Sequence, residues 1–173
     1  MNTLTVNLHL MMTSFYRPTS ERFKIVMAGH EFPSDRYAVE SQVRLHGFEP
    51  EEAMVEIQPV PGTDVLSTDR IVDAIREHGS SVALVLFSGG HFFTGQRFDM
   101  ARIAAAAHEV GAVCGLDLAH AVGNVELSLH DWDVDFAVWC SYKYLNAGPG
   151  AVGGAFVHER YADRADLPRL AGW

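Results

Sequence analysis

Lys143 lies at the centre of Trp139-Cys-Ser-Tyr-Lys-Tyr-Leu-Asn-Ala-Gly148, directly after the apolar run Asp135-Phe-Ala-Val-Trp-Cys140 and ahead of a glycine-rich turn. The run reads as a buried strand, so the lysine stands beyond a strand's C-terminal end. Desolvation in such a place favours the neutral amine, and a neutral amine is a nucleophile that condenses with aldehydes. The ordinary alternative is a solvated lysine that opens a loop, which is where most lysines sit. Other chemistry-bearing residues hold similar positions. Asp117 ends the run Ala112-Val-Cys-Gly-Leu-Asp117, and His120 follows three residues on. Ser88 follows Val82-Ala-Leu-Val-Leu-Phe87, and Phe32 lies on the loop after Phe23-Lys-Ile-Val-Met-Ala28. Phe32 could cover a flat ligand or simply close over the core.

The elements that must position these residues alternate. Asn2 to Phe15 carries apolar residues at Leu4, Leu8, Met11, Met12 and Phe15, which is helical spacing, with Asn2 or Thr3 as the cap. Thr5 then falls in the first turn, where free N–H groups and the helix dipole favour an anion; a capped helix and nothing more is the plain alternative. Arg17-Pro-Thr-Ser20 breaks the helix. After the strand at 23–28, a helix is expected from near Ser34 towards His46, stopped by Gly47. Ala53-Met-Val-Glu-Ile-Gln-Pro59 alternates and ends in proline, as an edge strand does. Ser67 or Thr68 caps a helix over Asp69–His78, ended by Gly79. The run 82–87 is continuous enough for a central parallel strand. A helix over Asp99–Val110, the strand at 112–117, a helical or turn segment with Leu127, Leu129 and Trp132, and the strand before Lys143 follow. A flexible turn and a last strand occupy 148–158, and the polar stretch from Tyr161 is a surface helix or linker. Such alternation predicts an α/β fold, a mostly parallel sheet with helices on both faces. Phe32, Ser88, Asp117, His120, Tyr142 and Lys143 then gather on one rim, the carboxyl ends of the strands, where open α/β sheets bind ligands.

Composition narrows the classes. The 173 residues suffice for one domain with a substantial core, and 48% hydrophobic against 20% charged residues excludes a disordered tail or a coiled coil. A formal net charge of -9 argues against nucleic acid as a partner. Cys114 and Cys140 lie in apolar runs, as buried free thiols of a reducing compartment do. No apolar run is long enough to span a membrane, no signal peptide opens the chain, and the nine histidines lack zinc-like spacing, so no metal is expected.

The rim suits pyridoxal phosphate. That cofactor asks for an amine, a carboxylate for its pyridinium nitrogen, donors for its phosphate and a cover for its ring. Lys143 offers the amine and Asp117 the carboxylate. Thr5 and its helix terminus offer phosphate donors, with Ser88 and Tyr142 as additions; Phe32 offers a stacking face, and His120 packs near the ring. No G-x-G-x-x-G follows the first strand, and neither a Walker loop nor a G-x-S-x-G elbow is present.

The chain resembles the kynureninase family within the class V branch of fold-type-I pyridoxal phosphate enzymes. Asn2-Thr-Leu-Thr-Val-Asn-Leu-His9, Phe32-Pro-Ser-Asp35, Thr94-Gly-Gln96, Asp117-Leu-Ala-His-Ala-Val-Gly-Asn124, His130-Asp-Trp132 and Trp139-Cys-Ser-Tyr-Lys-Tyr-Leu-Asn146 carry the resemblance. It covers essentially every residue. The related cysteine desulfurases usually place a histidine before the lysine, where this chain has Tyr142. The resemblance implies cleavage of L-kynurenine, or its 3-hydroxy form, to anthranilate (or 3-hydroxyanthranilate) and L-alanine, in tryptophan catabolism and NAD biosynthesis. It implies that Lys143 forms the Schiff base with the cofactor and moves the Cα proton. Tyr142 binds phosphate and acts as an acid, and Asp117 pairs with the pyridinium. Leu4 and Thr5 lie at the phosphate end, and Phe32, Pro33, Ser34 and Asp35 against the ring. Ser88, His120 and Trp173 complete the shell. A cytoplasmic homodimer is implied too.

The resemblance also has departures. Chains of that family are much longer, so residues 1–173 are expected to be a partial large domain, truncated at both ends, without the small C-terminal domain that contacts the substrate carboxylate. Gly90 stands where some relatives carry a larger residue. Two alternatives remain: an enzyme like a cysteine desulfurase or selenocysteine lyase, which needs a mobile catalytic cysteine, and an inactive fragment.

Overall fold

The computed structural model describes residues 2–170, so Trp173 lies outside the described residues. The chain runs α1 (Leu4–Phe15), β1 (Lys24–Ala28), α2 (Pro33–Leu45), the single turn α3 (Pro50–Ala53), β2 (Met54–Ile57), α4 (Thr68–His78), β3 (Val82–Ser88), α5 (Met100–Glu109), β4 (Val113–Asp117), β5 (Phe136–Trp139) and β6 (Gly154–Val157). These form a six-stranded sheet in the order β2-β1-β3-β4-β5-β6. The first five strands are parallel, and β6 returns antiparallel to β5. The alternating Ala53–Pro59 segment forms the edge strand, and the apolar 82–87 run forms the central one.

Period-2 alternation in the buried strands divides the core between the two faces. Ile25, Met27, Leu84 and Leu86 pack under α1 and α2, against Leu8, Met12 and Val39. Val26, Val85, Phe87 and Leu116 face the other way, onto Ile71 and Ile75 of α4 and Ile103 of α5. Helices on both faces leave only the strand ends free to carry chemistry. Within β4, Gly115 lies under the Phe136 ring; a Cβ there would stand 2.2 Å from a ring carbon.

One local expectation changes, and one left open is decided. Thr3 occupies the N-cap position of α1, but its side chain accepts no hydrogen bond from the first turn. Asn7 ties down the entry instead, its Oδ1 accepting from the Asn2 N–H at 3.2 Å and its Nδ2 donating to the Asn2 carbonyl. The segment holding Leu127, Leu129 and Trp132, expected as helix or turn, is a series of turns packed on the α4–α5 side of the core. By contrast, Ser67 caps α4 as its type predicts, accepting from the Arg70 N–H.

The rim opposite the site is tied by one buried carboxylate. Asp135 accepts from the Cys114 N–H at 2.6 Å, Arg160 Nη2 at 2.6 Å, His108 Nε2 at 2.9 Å and the Tyr161 hydroxyl. It fastens the start of β5 to β4, α5 and the turn after β6.

Candidate active site

The connection from β1 runs to β2 on one side, and the next crossover brings β3 to the other side of β1. The loops leaving β1 and β3 therefore part at this switch point and open a crevice beyond the strand ends. In the sheet register Ser88 of β3 lies opposite Asp117 of β4, and Asp117 lies opposite Val138 of β5. Ser88 and Asp117 are thus set side by side, with the Lys143 loop starting one strand further on. Gly123 lets that loop close in, since a Cβ there would meet the Tyr144 carbonyl at 3.0 Å and its φ is +78°.

The cavity is bounded by Leu4 and Thr5 of α1, Phe32, Ser34 and Asp35 at the start of α2, and the loops at the ends of β3, β4 and β5; its empty space is about 460 Å³ including the open mouth. Lys143 Nζ lies 2.9 Å from His120 Nε2 and 5.7 Å from the centre of the Phe32 ring. Burial, and then the Lys143 charge, lowers the pKa of His120, so its ring is neutral and can accept from the amine. Asp117 is buried, and its Oδ1 accepts the Ala119 N–H at 2.6 Å. Asp35 faces it, with a pKa pushed up to about 9 by burial and then by the Asp117 charge. Burial raises Asp117 as well, but the bond from Asp35, the Ala119 N–H, Lys143 and His120 all favour its ionised form. The pair therefore shares one proton between two carboxyls at the cavity wall.

At the other end two helix N-termini converge. Neither Thr3 nor Phe32 caps its helix with a side chain. The hydroxyls of Thr5 and Ser34, one from each first turn, stand 3.0 Å apart. In α2 Pro33 has no N–H and the Asp35 N–H donates to the Phe32 carbonyl at 2.9 Å, so the anion site is made by the first turn of α1, the Ser34 N–H and the two hydroxyls. Among the described residues, the buried side-chain atoms without a hydrogen-bond partner are Glu31 Oε2, Asp35 Oδ1, Gln42 Oε1 and Ser88 Oγ. Three of these four belong to residues that line this cavity. Unpaired polar atoms gathered in one crevice mark a place where a ligand completes the bonding.

The pattern of the aminotransferase class-V family matches residues 5–172. The chain belongs to that family. It is 61% identical over 173 residues to the kynureninase of Nematostella vectensis, covering 100% of this chain and 37% of that protein. It is 60% identical to the kynureninase of Myxococcus xanthus (strain DK1622), covering 100% and 41%. The chain thus spans about two-fifths of the length of these curated relatives. Among solved structures it is similar to the apo cysteine desulfurase from Thermococcus onnurineus NA1, with a TM-score of 0.75, 19% identity, and 92% of this chain and 38% of that one covered. It is also similar to the cystine C-S lyase C-DES in complex with its reaction product cysteine persulfide, with a TM-score of 0.75, 20% identity and 92% and 40% coverage. These two likenesses show the fold.

Pyridoxal phosphate is the cofactor of this class V fold, and the residues present fit it. An amine, a carboxyl pair that shares a proton, an anion site with hydroxyl donors and an aromatic face surround one cavity. The structure brings together Leu4, Thr5, Phe32, Ser34, Asp35, Ser88, Asp117, His120, Tyr142 and Lys143 around that cavity. Pro33 does not line it; it is the first residue of α2 and sets that helix's starting φ. Tyr142 is half exposed at the mouth, with a pKa raised by burial and then by Cys140. Phe32 is 44% exposed and meets Phe92 edge-on at 5.3 Å.

Sequence reasoning missed four lining residues: Glu31, Gly90, Phe92 and Ala119. Gly90 was visible only as a departure from relatives. Ala119 acts through its backbone, which no residue type announces. Glu31 and Phe92 read as ordinary loop residues, and only the loop conformations turn them inward.

Proposed function

We propose that this chain carries the cofactor-binding part of a pyridoxal phosphate-dependent hydrolase that cleaves L-kynurenine, or 3-hydroxy-L-kynurenine, to the anthranilate and L-alanine. The supporting observation is the 57–61% identity to curated kynureninases across all 173 residues, against 19–20% to structures of similar fold. A cytoplasmic homodimer working in tryptophan catabolism and NAD biosynthesis belongs to the same proposal. So does the assignment of residues 1–173 to a partial large domain.

When bound, pyridoxal phosphate supplies an electron-withdrawing ring that stabilises negative charge developing on substrate carbon. The chain's own groups do the rest. Thr5, Ser34 and the two helix N-termini bind the phosphate and fix the ring's position. Phe32 covers one face. Asp117, which shares a proton with Asp35, would hold a proton on the ring nitrogen. The Lys143 amine would hold the cofactor and would then move the proton of the substrate Cα. His120, neutral and 2.9 Å away, orients that amine and accepts its proton's hydrogen bond. Tyr142, protonated because its pKa is raised, is the acid that delivers a proton to the carbon that becomes the methyl group of alanine.

The cysteine desulfurase reading requires a thiolate free to reach the substrate. Cys114 and Cys140 are both buried, and burial raises the Cys114 thiol pKa further. Neither of these two cysteines suits that role, and the hydrolase reading is preferred on the higher identity to curated kynureninases.

Two measurements test it. Incubation with pyridoxal phosphate, borohydride reduction and peptide mapping should label Lys143; label confined to Lys24 sinks the assignment. For the reaction, the 173 residues can replace the matching 41% of the Myxococcus xanthus protein. The folded chimera should release fluorescent anthranilate from kynurenine, and Lys143→Ala should abolish it. The 173 residues alone should release none above a Lys143→Ala control. A folded, cofactor-loaded chimera that leaves kynurenine intact would count against the substrate.

A further inference from the structure

Among the described glycines, Gly90 is the one that neither the backbone nor the packing explains. Eight others take φ in the left-handed region, where glycine is the natural choice. Gly29, Gly89, Gly115, Gly153 and Gly154 would each put a Cβ within 2.7 Å of a neighbour. Gly90 does neither. Its φ lies outside the left-handed region, and a Cβ there would stand 3.5 Å from His120 Cβ and 3.6 Å from the His120 carbonyl oxygen, which are ordinary contact distances. Its backbone pairs with Arg97 across an antiparallel bridge. Glycine weakens such pairing, and where no fold constraint calls for it, it often marks a place where a ligand comes close to the backbone. Gly90 lines the cofactor cavity, which is a place of that kind.

We propose that Gly90 is a specificity-determining residue: its missing side chain keeps open, beside His120, the room that admits a substrate with a bulky aryl-carbonyl group. The inference rests on the function proposed above. The His120 ring lies against the reacting amine, with Nε2 2.9 Å from Lys143 Nζ, so the space between Gly90 and His120 borders the point where the substrate's reacting carbon arrives. The groups that suit the cofactor come from other elements: Thr5 from α1, Phe32 and Ser34 from the start of α2, and Asp117 from the end of β4. Two residues beyond Gly90, Phe92 lines the same cavity and meets Phe32 edge-on at 5.3 Å, so an aryl group passing Gly90 finds an aromatic flank. The loop cannot yield to a larger side chain. The Gly89 N–H donates to the Asp117 carbonyl at 2.7 Å, and the His91 N–H to the Gln96 carbonyl at 2.8 Å. A Cβ on Gly89 would already meet Ala121 Cβ at 2.7 Å, so the backbone lies flush against the turn at 118–121. Gln96 is fixed in turn by bonds to the N–H and the carbonyl of Leu66. A side chain at position 90 therefore takes space from the cavity instead of pushing the loop away.

The test compares a large and a small amino acid on the chimera with the Myxococcus xanthus protein, loaded with pyridoxal phosphate. L-Alanine has the same amino-acid head as kynurenine and no aryl-carbonyl group, so it probes the cofactor and the amine but not the room at Gly90. Its Kd is read from the change in cofactor absorbance, and the KM for kynurenine from anthranilate fluorescence. Gly90→Ala should raise the KM for kynurenine about tenfold and Gly90→Val about a hundredfold, the scale of extra methyl groups in space that a ligand must fill. The absorbance of the bound cofactor, the Kd for L-alanine and the Tm should stay as in the unmodified chimera. An unchanged KM in both variants would overturn the role of Gly90, and so would equal losses for L-alanine and kynurenine, which would place the glycine in service of the cofactor. If Gly90→Val does not fold, Gly90→Ala decides alone; a Gly90→Ala variant that does not fold shows that packing requires the glycine and overturns the inference as well. An unmodified chimera whose cofactor absorbance responds to L-alanine but which leaves kynurenine intact overturns the substrate reading, and this inference with it.

Discussion

Asp35→Asn should make the ligand-free chain more stable, and more so as pH rises. Asp35 is 3% exposed, its Oδ1 has no partner, and the Asp117 carboxylate faces it. Its folded pKa of about 9 stands against 3.8 for an unperturbed aspartate. Between those values the folded chain holds a proton that the unfolded chain has released, so stability falls as pH rises through that window. At pH 7 the unfolded side chain is about 3 units beyond its pKa, and at about 1.4 kcal/mol per unit the ceiling of the penalty is about 4 kcal/mol. Water entry and relaxation of the coupled pair absorb part of this, leaving about 1–2 kcal/mol of the kind that functional sites commonly hold back. Asparagine keeps the size and a donor towards Asp117 but never ionises, so it escapes the penalty. For a chain of this length the gain corresponds to roughly 2–8 °C in Tm. Thermal unfolding by circular dichroism at pH 5, 7 and 8.5 measures it. The gap between variant and unmodified chain should widen at each step. A variant that is less stable throughout, or a gap that does not grow with pH, would refute the shared-proton account of the site.

Three further outcomes are expected. Asp117→Ala in the chimera should keep the fold and the phosphate contacts but lose at least about a hundredfold in kcat, the usual scale for a lost charge partner at the reacting centre, with Asp117→Glu milder; near-normal turnover in the alanine variant rules the role out. Gly115→Ala should cost about 1–3 kcal/mol in urea unfolding, because the new methyl meets the Phe136 ring, while Gly148→Ala meets nothing and is limited to its backbone strain. The bond to Asp135, then burial opposing it, leaves His108 with a raised pKa, so the pair's stabilisation is full below the ordinary histidine pKa and is lost as pH rises through the raised one. His108→Gln should therefore flatten the decline of Tm above neutrality, and an unchanged slope would show that another group titrates there.

The strand–helix alternation was legible because each buried strand is a short apolar run closed by a small or polar residue. The runs at 82–87 and 112–117 lie within one residue of β3 and β4. Helix ends were legible where a side chain caps, as at Ser67, and misread where none does, as at Thr3. The open first turn of α1 is a gap in local bonding, and a sequence displays only the residues able to fill such gaps. The turns holding Leu127, Leu129 and Trp132 carry helix-like apolar spacing because they cover one face of the core. Spacing alone does not separate the two cases.

By itself the sequence determined which residues could do the chemistry. Lys143, Asp117, His120 and Ser88 each follow an apolar run, and parallel strands bring such ends to one rim whatever their order. Tertiary structure alone decided which groups share a proton, which polar atoms remain unpaired, and which loops turn inward. Asp35 and Asp117 are 82 positions apart in the chain, and only the meeting of α2 with β4 lets each set the other's charge. Glu31 differs from a solvated glutamate only because the loop through His30 buries it in the cavity wall. The physical reason is range. Burial and apolar periodicity are written residue by residue, whereas a pKa or an unsatisfied hydrogen bond depends on what stands within a few ångströms, from wherever in the chain it comes.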